Sequence, residues 1–251
     1  MKIVVLMKQV PDTYEERRID LATGRLDRAA SEAVADEINE RALEVALSYK
    51  DSHKGTEVVV LTMGPEGAKA ALKKGLQMGA DSGVHVEAGE LSGADAVQTA
   101  KVLANALRET GFDLVVAGNE STDGRGGVVP AMVSELLGVP LLGSLGQVEI
   151  SEGSVRGERR EDGGTSTVSA SLPALVSVTE NVAEARFPNF KGIMTAKRKK
   201  IEDVAPSGAG APVSTVAGVS ERPARAAGVK IVDSGDAGVQ LAEFLASGRL
   251  I

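Results

Sequence analysis

The sequence predicts an α/β protein: a doubly wound, mostly parallel sheet with added antiparallel strands and a C-terminal arm. Two observations lead there. Four short runs, 3–7, 57–63, 83–86 and 113–117, place Val, Ile and Leu at consecutive positions, the pattern of strands buried on both faces. Between them lie amphipathic stretches of helical length, and strands alternating with helices build a parallel sheet covered on both sides. A length of 251 residues suits one large domain with an appendage, and 43% apolar with 25% charged residues suits a sizeable core.

The elements follow in order. After the first strand, 19–26 reads as a small hairpin turned by Ala22-Thr23-Gly24. Segment 36–50 sets Ile38, Ala42, Val45, Ala46 and Tyr49 on one helical stripe. Segment 65–78 opens with Pro65 in a first turn and closes at Gly79; segment 93–110 repeats Val97, Ala100, Leu103, Ala104 and Leu107 and stops at Gly111. Pro130 opens a further helix that runs to Leu137. Past Gly138 the alternation breaks. Segments 145–150, 154–160, 165–171 and 175–179 read as short strands, with hairpin turns at Glu152-Gly153 and Asp162-Gly163-Gly164. Residues 1–205 thus form the α/β domain. In 206–251, a Ser/Gly/Ala/Pro-rich linker (207–218) leads to a short amphipathic helix over 236–246, which needs a surface to dock on.

Composition removes several functions. An excess of 35 acidic over 28 basic residues gives −7, which opposes phosphate-backbone binding, and six aromatics without Trp supply few base-stacking surfaces. No nucleic acid is expected as partner. Zero cysteines exclude disulfides, thiolate metal sites and cysteine nucleophiles. The two histidines, His53 and His85, lie in different segments, so no metal site and no catalytic triad is predicted, and neither receives a role. The apolar start is too short to span or insert into a membrane, and the expectation is a soluble cytoplasmic protein.

Ligands of open parallel sheets bind at the C-terminal strand ends. The fourth strand runs into Gly118-Asn119-Glu120-Ser121-Thr122-Asp123-Gly124-Arg125-Gly126-Gly127-Val128-Val129, just before the Pro130 helix. Its glycines let backbone N–H groups approach a ligand, and the helix start adds partial positive charge, so a phosphate is the natural guest. The alternative is a glycine-rich connector with no ligand. Asp36, Glu37 and Asn39 invite an acid–base or metal reading, but acidic residues in a first helical turn also serve the helix dipole. The run Lys197-Arg198-Lys199-Lys200 reads as a solvated or partner-docking basic patch. Phe187, Phe190, Ile193 and Met194 cluster in a loop-like stretch with charged neighbours, as anchors for a protein partner or as a loop packed on the core.

Several motifs stand in register with one family. They are Lys2-Ile3-Val4-Val5-Leu6-Met7-Lys8-Gln9-Val10-Pro11-Asp12-Thr13, Asp36-Glu37-Ile38-Asn39-Glu40, Met78-Gly79-Ala80-Asp81, the Gly118–Gly124 loop, Leu172-Pro173-Ala174, and Lys191-Gly192-Ile193-Met194 before the basic run. Over residues 1 to about 203 the chain resembles the β subunit of bacterial electron transfer flavoproteins. The resemblance implies an adenine nucleotide α-hydrolase-like fold. It also implies a heterodimer with an α subunit that binds most of the FAD. Such a complex takes electrons from acyl-CoA or related flavin dehydrogenases and passes them to a quinone reductase, with no catalytic residues in the β chain.

The resemblance further implies a structural AMP in this chain. Its shell falls on Leu6, Asp36, Glu37, Ile38, Asn39, Met63, Gly118, Asn119 and Asp123, Gly124, Arg125, Gly126, Gly127, Val128 and Val129. The partner-recognition segment falls on 182–196, with Phe187, Phe190, Ile193, Met194 and Lys197 as contacts. Phe190 stands where a leucine anchor is usual in this family. Residues 123–129 lack the Asn, Gln and Thr side chains of the AMP-binding loop, which leaves backbone groups and Arg125 for the phosphate. Bifurcating members hold a second FAD with an Asp-Gly-Asp-Thr-like loop; this chain shares Asp123-Gly124 but continues with Arg125 and Gly126. Thr13 replaces a tyrosine that lies near the flavin. The alternatives are thus a bifurcating-type subunit with a second FAD, or a nucleotide-sensing protein of the universal-stress type.

Overall fold

Seven strands of the chain lie side by side in one sheet, and every pairing in it is parallel. The structure is a computed structural model that describes residues 1–225 and 227–251. In chain order the strands are β1 (Lys2–Leu6), β2 (Gln9–Pro11), β3 (Ile19–Asp20), β4 (Arg25–Leu26), β5 (Ala33–Ala35), β6 (Glu57–Gly64) and β7 (Ser82–Glu87). They continue as β8 (Leu114–Gly118), β9 (Leu141–Leu145), β10 (Gln147–Ser151), β11 (Ser154–Glu161), β12 (Gly164–Ser171), β13 (Ala174–Val178) and β14 (Ile201–Val204). The helices are α1 (Glu37–Ser52), α2 (Lys69–Met78), α3 (Ala96–Thr110), α4 (Val129–Leu137), α5 (Phe190–Ala196) and α6 (Ala237–Ser247).

The main sheet runs β14-β7-β6-β1-β8-β13-β9. Alternate residues of each strand feed two cores. Ile3, Val5, Val58, Val60, Leu114 and Val116 pack with Ala42, Leu43, Leu47, Leu72 and Leu76 of α1 and α2. Val4, Val59, Leu61 and Val115 pack with Ala100, Leu103, Leu107 and Val133 of α3 and α4. Each fully buried Val, Leu or Ile among them contributes about 1.5–3 kcal/mol. The strands are therefore apolar at consecutive positions because both faces are covered, and the fold class expected from the sequence is the one observed.

Helix ends follow local chemistry. Asp36 caps α1 by accepting from the Ile38 and Asn39 N–H groups, and Asp95 with Gln98 forms a capping box on α3. Gly79, Gly111 and Gly138 follow the last residues of α2, α3 and α4.

The structure departs from the sequence reading after Gly138. Segment 145–150 divides at Gly146 into the end of β9 and β10, and of the strands after Gly138 it is β10, β11 and β12 that form an antiparallel sheet. β13 instead enters the main sheet between β8 and β9. The pattern explains it: β13 is buried at all five positions, whereas β12 alternates. β14 is a short, charged edge strand that hydrophobic periodicity does not reveal. The stretch holding Phe190 is helix α5, not a loop.

Two compact units are present, Met1–Ala217 and Gly218–Ile251. Within the first, the Ser/Gly-rich stretch is held along α3: Gln98 donates to the Gly210 carbonyl (2.9 Å) and Asp95 accepts from the Val213 (2.6 Å) and Ser214 (2.8 Å) N–H groups. The second contains α6.

His85, on β7, is fully buried and structural. Its Nδ1 lies 2.9 Å from Asp203 of β14 and its Nε2 3.0 Å from the Gly64 carbonyl at the end of β6. Hydrogen bonds from Lys69 and His85 hold the Asp203 carboxyl below its ordinary range. A His85→Leu variant is expected to lose about 1–3 kcal/mol, because the buried imidazole's bonds to the Gly64 carbonyl and to the exposed Asp203 both disappear. An unchanged urea midpoint would contradict this role.

Candidate functional site

The C-terminal ends of β1, β6, β7 and β8 converge on a cleft of about 450 Å³, within the range of small-molecule sites. The chain steps outward from β1 to β6 and β7, then returns to lay β8 on the other side of β1. The cleft therefore lies where strand order reverses, the binding crevice of open α/β sheets.

Its floor is knitted by backbone exits. The Lys8 N–H donates to Asn39 Oδ1 (2.8 Å), and the Asp36 N–H to the Lys8 carbonyl (3.0 Å). Asp36 is buried with both oxygens engaged: one caps α1, the other accepts from the Thr122 N–H (2.7 Å) and hydroxyl (2.9 Å). Gly118 permits the close approach of α1 to β8, since a Cβ there would stand 2.6 Å from Asn39 Nδ2.

The wall is the 119–128 loop. The Asp123 side chain is only 1% exposed and pairs with Lys8 Nζ (2.8 Å) and Arg28 (2.5 Å). Burial alone would raise its carboxyl; the charge of Lys8 and hydrogen bonds from Lys8, Ser121 and Arg28 outweigh this and hold it far below the ordinary 3.8. A depressed carboxyl contributes stability that is complete above pH about 4 and is lost as pH falls below it. The N–H groups of Gly126, Gly127 and Val128 meet no acceptor among the described residues. A Cβ at Gly126 or Gly127 would meet nothing within 4 Å, and residues 126–128 are exposed, so this stretch of the loop is not packed against the body. α4 begins there with Pro130 in its first turn, and Asn119 Oδ1 is buried without a partner. Unpaired amides at a helix start beside a lone acceptor can take a phosphate and a donor edge of one guest.

Of the sequence-predicted residues, Leu6, Asn39, Met63, Gly118, Asn119, Gly126, Gly127 and Val129 line the cleft. Asp36, Glu37, Ile38, Asp123, Gly124, Arg125 and Val128 do not. Asp36 and Asp123 are consumed by the fold, and Glu37 lies outside, accepting from the Thr13 hydroxyl (3.2 Å). Arg125 is exposed with φ of +47° and stands away from the lining. Lys8, Gln9, Arg28 and Pro65 line the cleft and were not foreseen as site residues. Lys8 follows β1 directly and was within reach of the strand-end rule. Arg28 was not, because it arrives on an excursion (12–32) whose base is the β2–β5 pair and whose tip is the β3–β4 hairpin.

The second predicted surface is exposed. Phe187 and Phe190 are 92% and 80% exposed, and Ile193, Met194 and Lys197 are also exposed. Their platform is fixed. Arg186 donates three times to Glu44 of α1, from its guanidinium (2.7 and 2.8 Å) and its backbone N–H (3.1 Å), and once to Asp51 (2.8 Å). Burial would raise the Glu44 carboxyl, but Arg186 keeps it below the ordinary value. Asn189 caps α5 on the Gly192 N–H (2.8 Å), and Gly192 lies so close to the Gln77 carbonyl that any side chain would overlap it. Lys199 is not part of a solvated patch: its amino group donates to the Leu76 (2.9 Å) and Ala80 (2.6 Å) carbonyls at the end of α2. Burial first, and then the charge of Lys50, lower its affinity for the proton.

Among the described residues no helix is long and apolar enough to cross a membrane. Residues 23–209 match the electron transfer flavoprotein domain family. The electron transfer flavoprotein subunit beta of Mycobacterium tuberculosis is 46% identical over 99% of both chains. That of Mycobacterium leprae is 47% identical with the same coverage, and that of Syntrophomonas wolfei is 34% identical over 98% of this chain and 96% of its own. A parallel α/β sheet with a cleft at its switch point, an added antiparallel sheet and full-length similarity to these subunits lead to one family: the chain belongs to the β subunits of electron transfer flavoproteins.

Proposed function

We propose that this chain is the β half of a heterodimeric electron carrier that buries an AMP in the cleft at the ends of β1, β6 and β8. The observation that carries the nucleotide reading is the cleft at the strand ends, whose lining includes Gly126 and Gly127 with amides that meet no acceptor and Asn119 with an Oδ1 that has no partner. The phosphate lies against those amides and the adenine against the apolar strand ends near Leu6 and Met63. The redox chemistry of the complex is that of FAD, held mainly by the α subunit. This chain contributes a rigid body, a docking platform at α5 and, through Val239, Leu241 and Leu245 of α6, an apolar arm for the α subunit. Electrons come from flavin dehydrogenases of the acyl-CoA type and leave to a quinone reductase, in the cytoplasm. Family membership sets aside the nucleotide-sensor alternative.

The test is to denature the purified heterodimer and weigh the nucleotides released. One AMP and one FAD per heterodimer is the expected result. Two FAD would make this a bifurcating-type subunit, and FAD with no second nucleotide would overturn the reading of the cleft.

A further inference from the structure

We infer that Lys8 and Arg28, held beside one another by Asp123, are the side chains that receive the nucleotide's phosphate, in place of Arg125. The inference rests on the nucleotide reading of the cleft given above. Both cations line that cleft together with Gly126, Gly127 and Val129, whereas Arg125 does not. Both converge on a single carboxylate that is almost wholly buried, at 2.8 and 2.5 Å. Lys8 also donates to Ser121 Oγ (3.2 Å) and Arg28 to the Gln9 carbonyl (3.5 Å), yet both side chains are about half exposed and each has N–H groups left over for a guest. Lys8 and Arg28 are the cations of the cleft lining, with Glu120 as its carboxylate and Asp123 behind them, so it is their N–H donors, directed at a doubly charged acceptor, that favour a phosphate over a neutral nucleoside. Asp123 is then a positioning residue: it fixes two long side chains that would otherwise lose rotamer freedom on binding.

Arg28 also gives the contact a second consequence. It belongs to the 12–32 excursion, which is tied to the 119–128 loop by Arg28–Asp123 and by Arg17 donating to the Thr122 carbonyl. A phosphate that engages Arg28 therefore fastens this excursion over the cleft.

The experiment uses the heterodimer freed of its adenine nucleotide and titrated by calorimetry with AMP and, separately, with adenosine. Arg28→Met and Lys8→Met are each expected to weaken AMP by about tenfold or more, the worth of a charge-assisted contact, while adenosine affinity stays within about twofold. Arg28→Lys should recover part of the loss, and Arg125→Ala should leave the AMP affinity within about twofold. Equal loss of AMP and adenosine in the Met variants would reduce both residues to a structural role. Unchanged AMP affinity, or a loss confined to Arg125→Ala, would overturn the inference outright. Failure of the unmodified heterodimer to bind either compound would instead remove the nucleotide reading, and this inference with it.

Discussion

A Gly118→Ala variant is expected to lose about 1–3 kcal/mol of folding stability and most of its bound nucleotide. Overpacking a well-filled site costs of that order. A methyl at this position would stand 2.6 Å from Asn39 Nδ2, 3.0 Å from Ile38 Cγ2 and 3.2 Å from the Glu120 carbonyl. Asn39 cannot simply turn away, because its Oδ1 holds the Lys8 N–H. The first turn of α1 must then move, and with it the exit of β1 and the cations at the cleft. Gly126→Ala is the control: its Cβ would meet no atom within 4 Å, so the fold should lose less than about 0.5 kcal/mol. Urea midpoints and the nucleotide-to-protein ratio read both effects. A Gly118→Ala protein as stable and as fully loaded as the parent would mean that the α1–β8 contact yields freely.

What the sequence made legible follows from how each feature is encoded. β1, β6 and β8 carry their own signal, because burial on both faces demands apolar residues at consecutive positions. α3 is equally plain, with apolar residues at three- and four-residue spacing and a terminal glycine, though its start at the Asp95 cap was not read. β14 is not: Ile-Glu-Asp-Val is an edge strand whose place depends on His85 meeting Asp203 across the sheet. β13 was legible as a strand but not as a parallel one, since pairing direction is decided by the β10–β12 insertion that separates it from β9.

The site divides the same way. Leu6 and Met63 entered through the family resemblance, whereas Gly118 and Asn119 sit where the fourth strand ends, so a rule about strand ends finds them. Asp123 and Arg125 show its limit. A loop's sequence does not tell which polar residue turns inward; here the acid is buried between two cations and the arginine faces solvent. Arg28 comes from ninety-five residues away in sequence from Asp123, and only the folded excursion brings it there.

The largest functional effect is expected at Phe190. In the intact heterodimer, Phe190→Ala should lower kcat/KM for reduction by a flavin dehydrogenase by about 30-fold, with flavin content unchanged. An aromatic anchor at the centre of an interface typically contributes about 2 kcal/mol or more, which corresponds to that factor. Phe190 qualifies on the page: it is 80% exposed on a helix anchored to the body, capped by Asn189 and with Gly192 close against Gln77. A large apolar side chain presented on an anchored helix asks a partner to order only that side chain and not the backbone beneath it. Glu44→Gln separates anchor from platform. It keeps the side chain's shape but removes the charge that grips Arg186, so the segment leading into α5 loosens while Phe190 remains. The expectation is a raised KM with kcat nearly unchanged, since a misaligned platform weakens docking before it slows electron transfer within the docked complex. Loss of flavin in the Phe190→Ala protein would show instead that α5 faces the α subunit, and an unchanged rate would place the dehydrogenase on another surface.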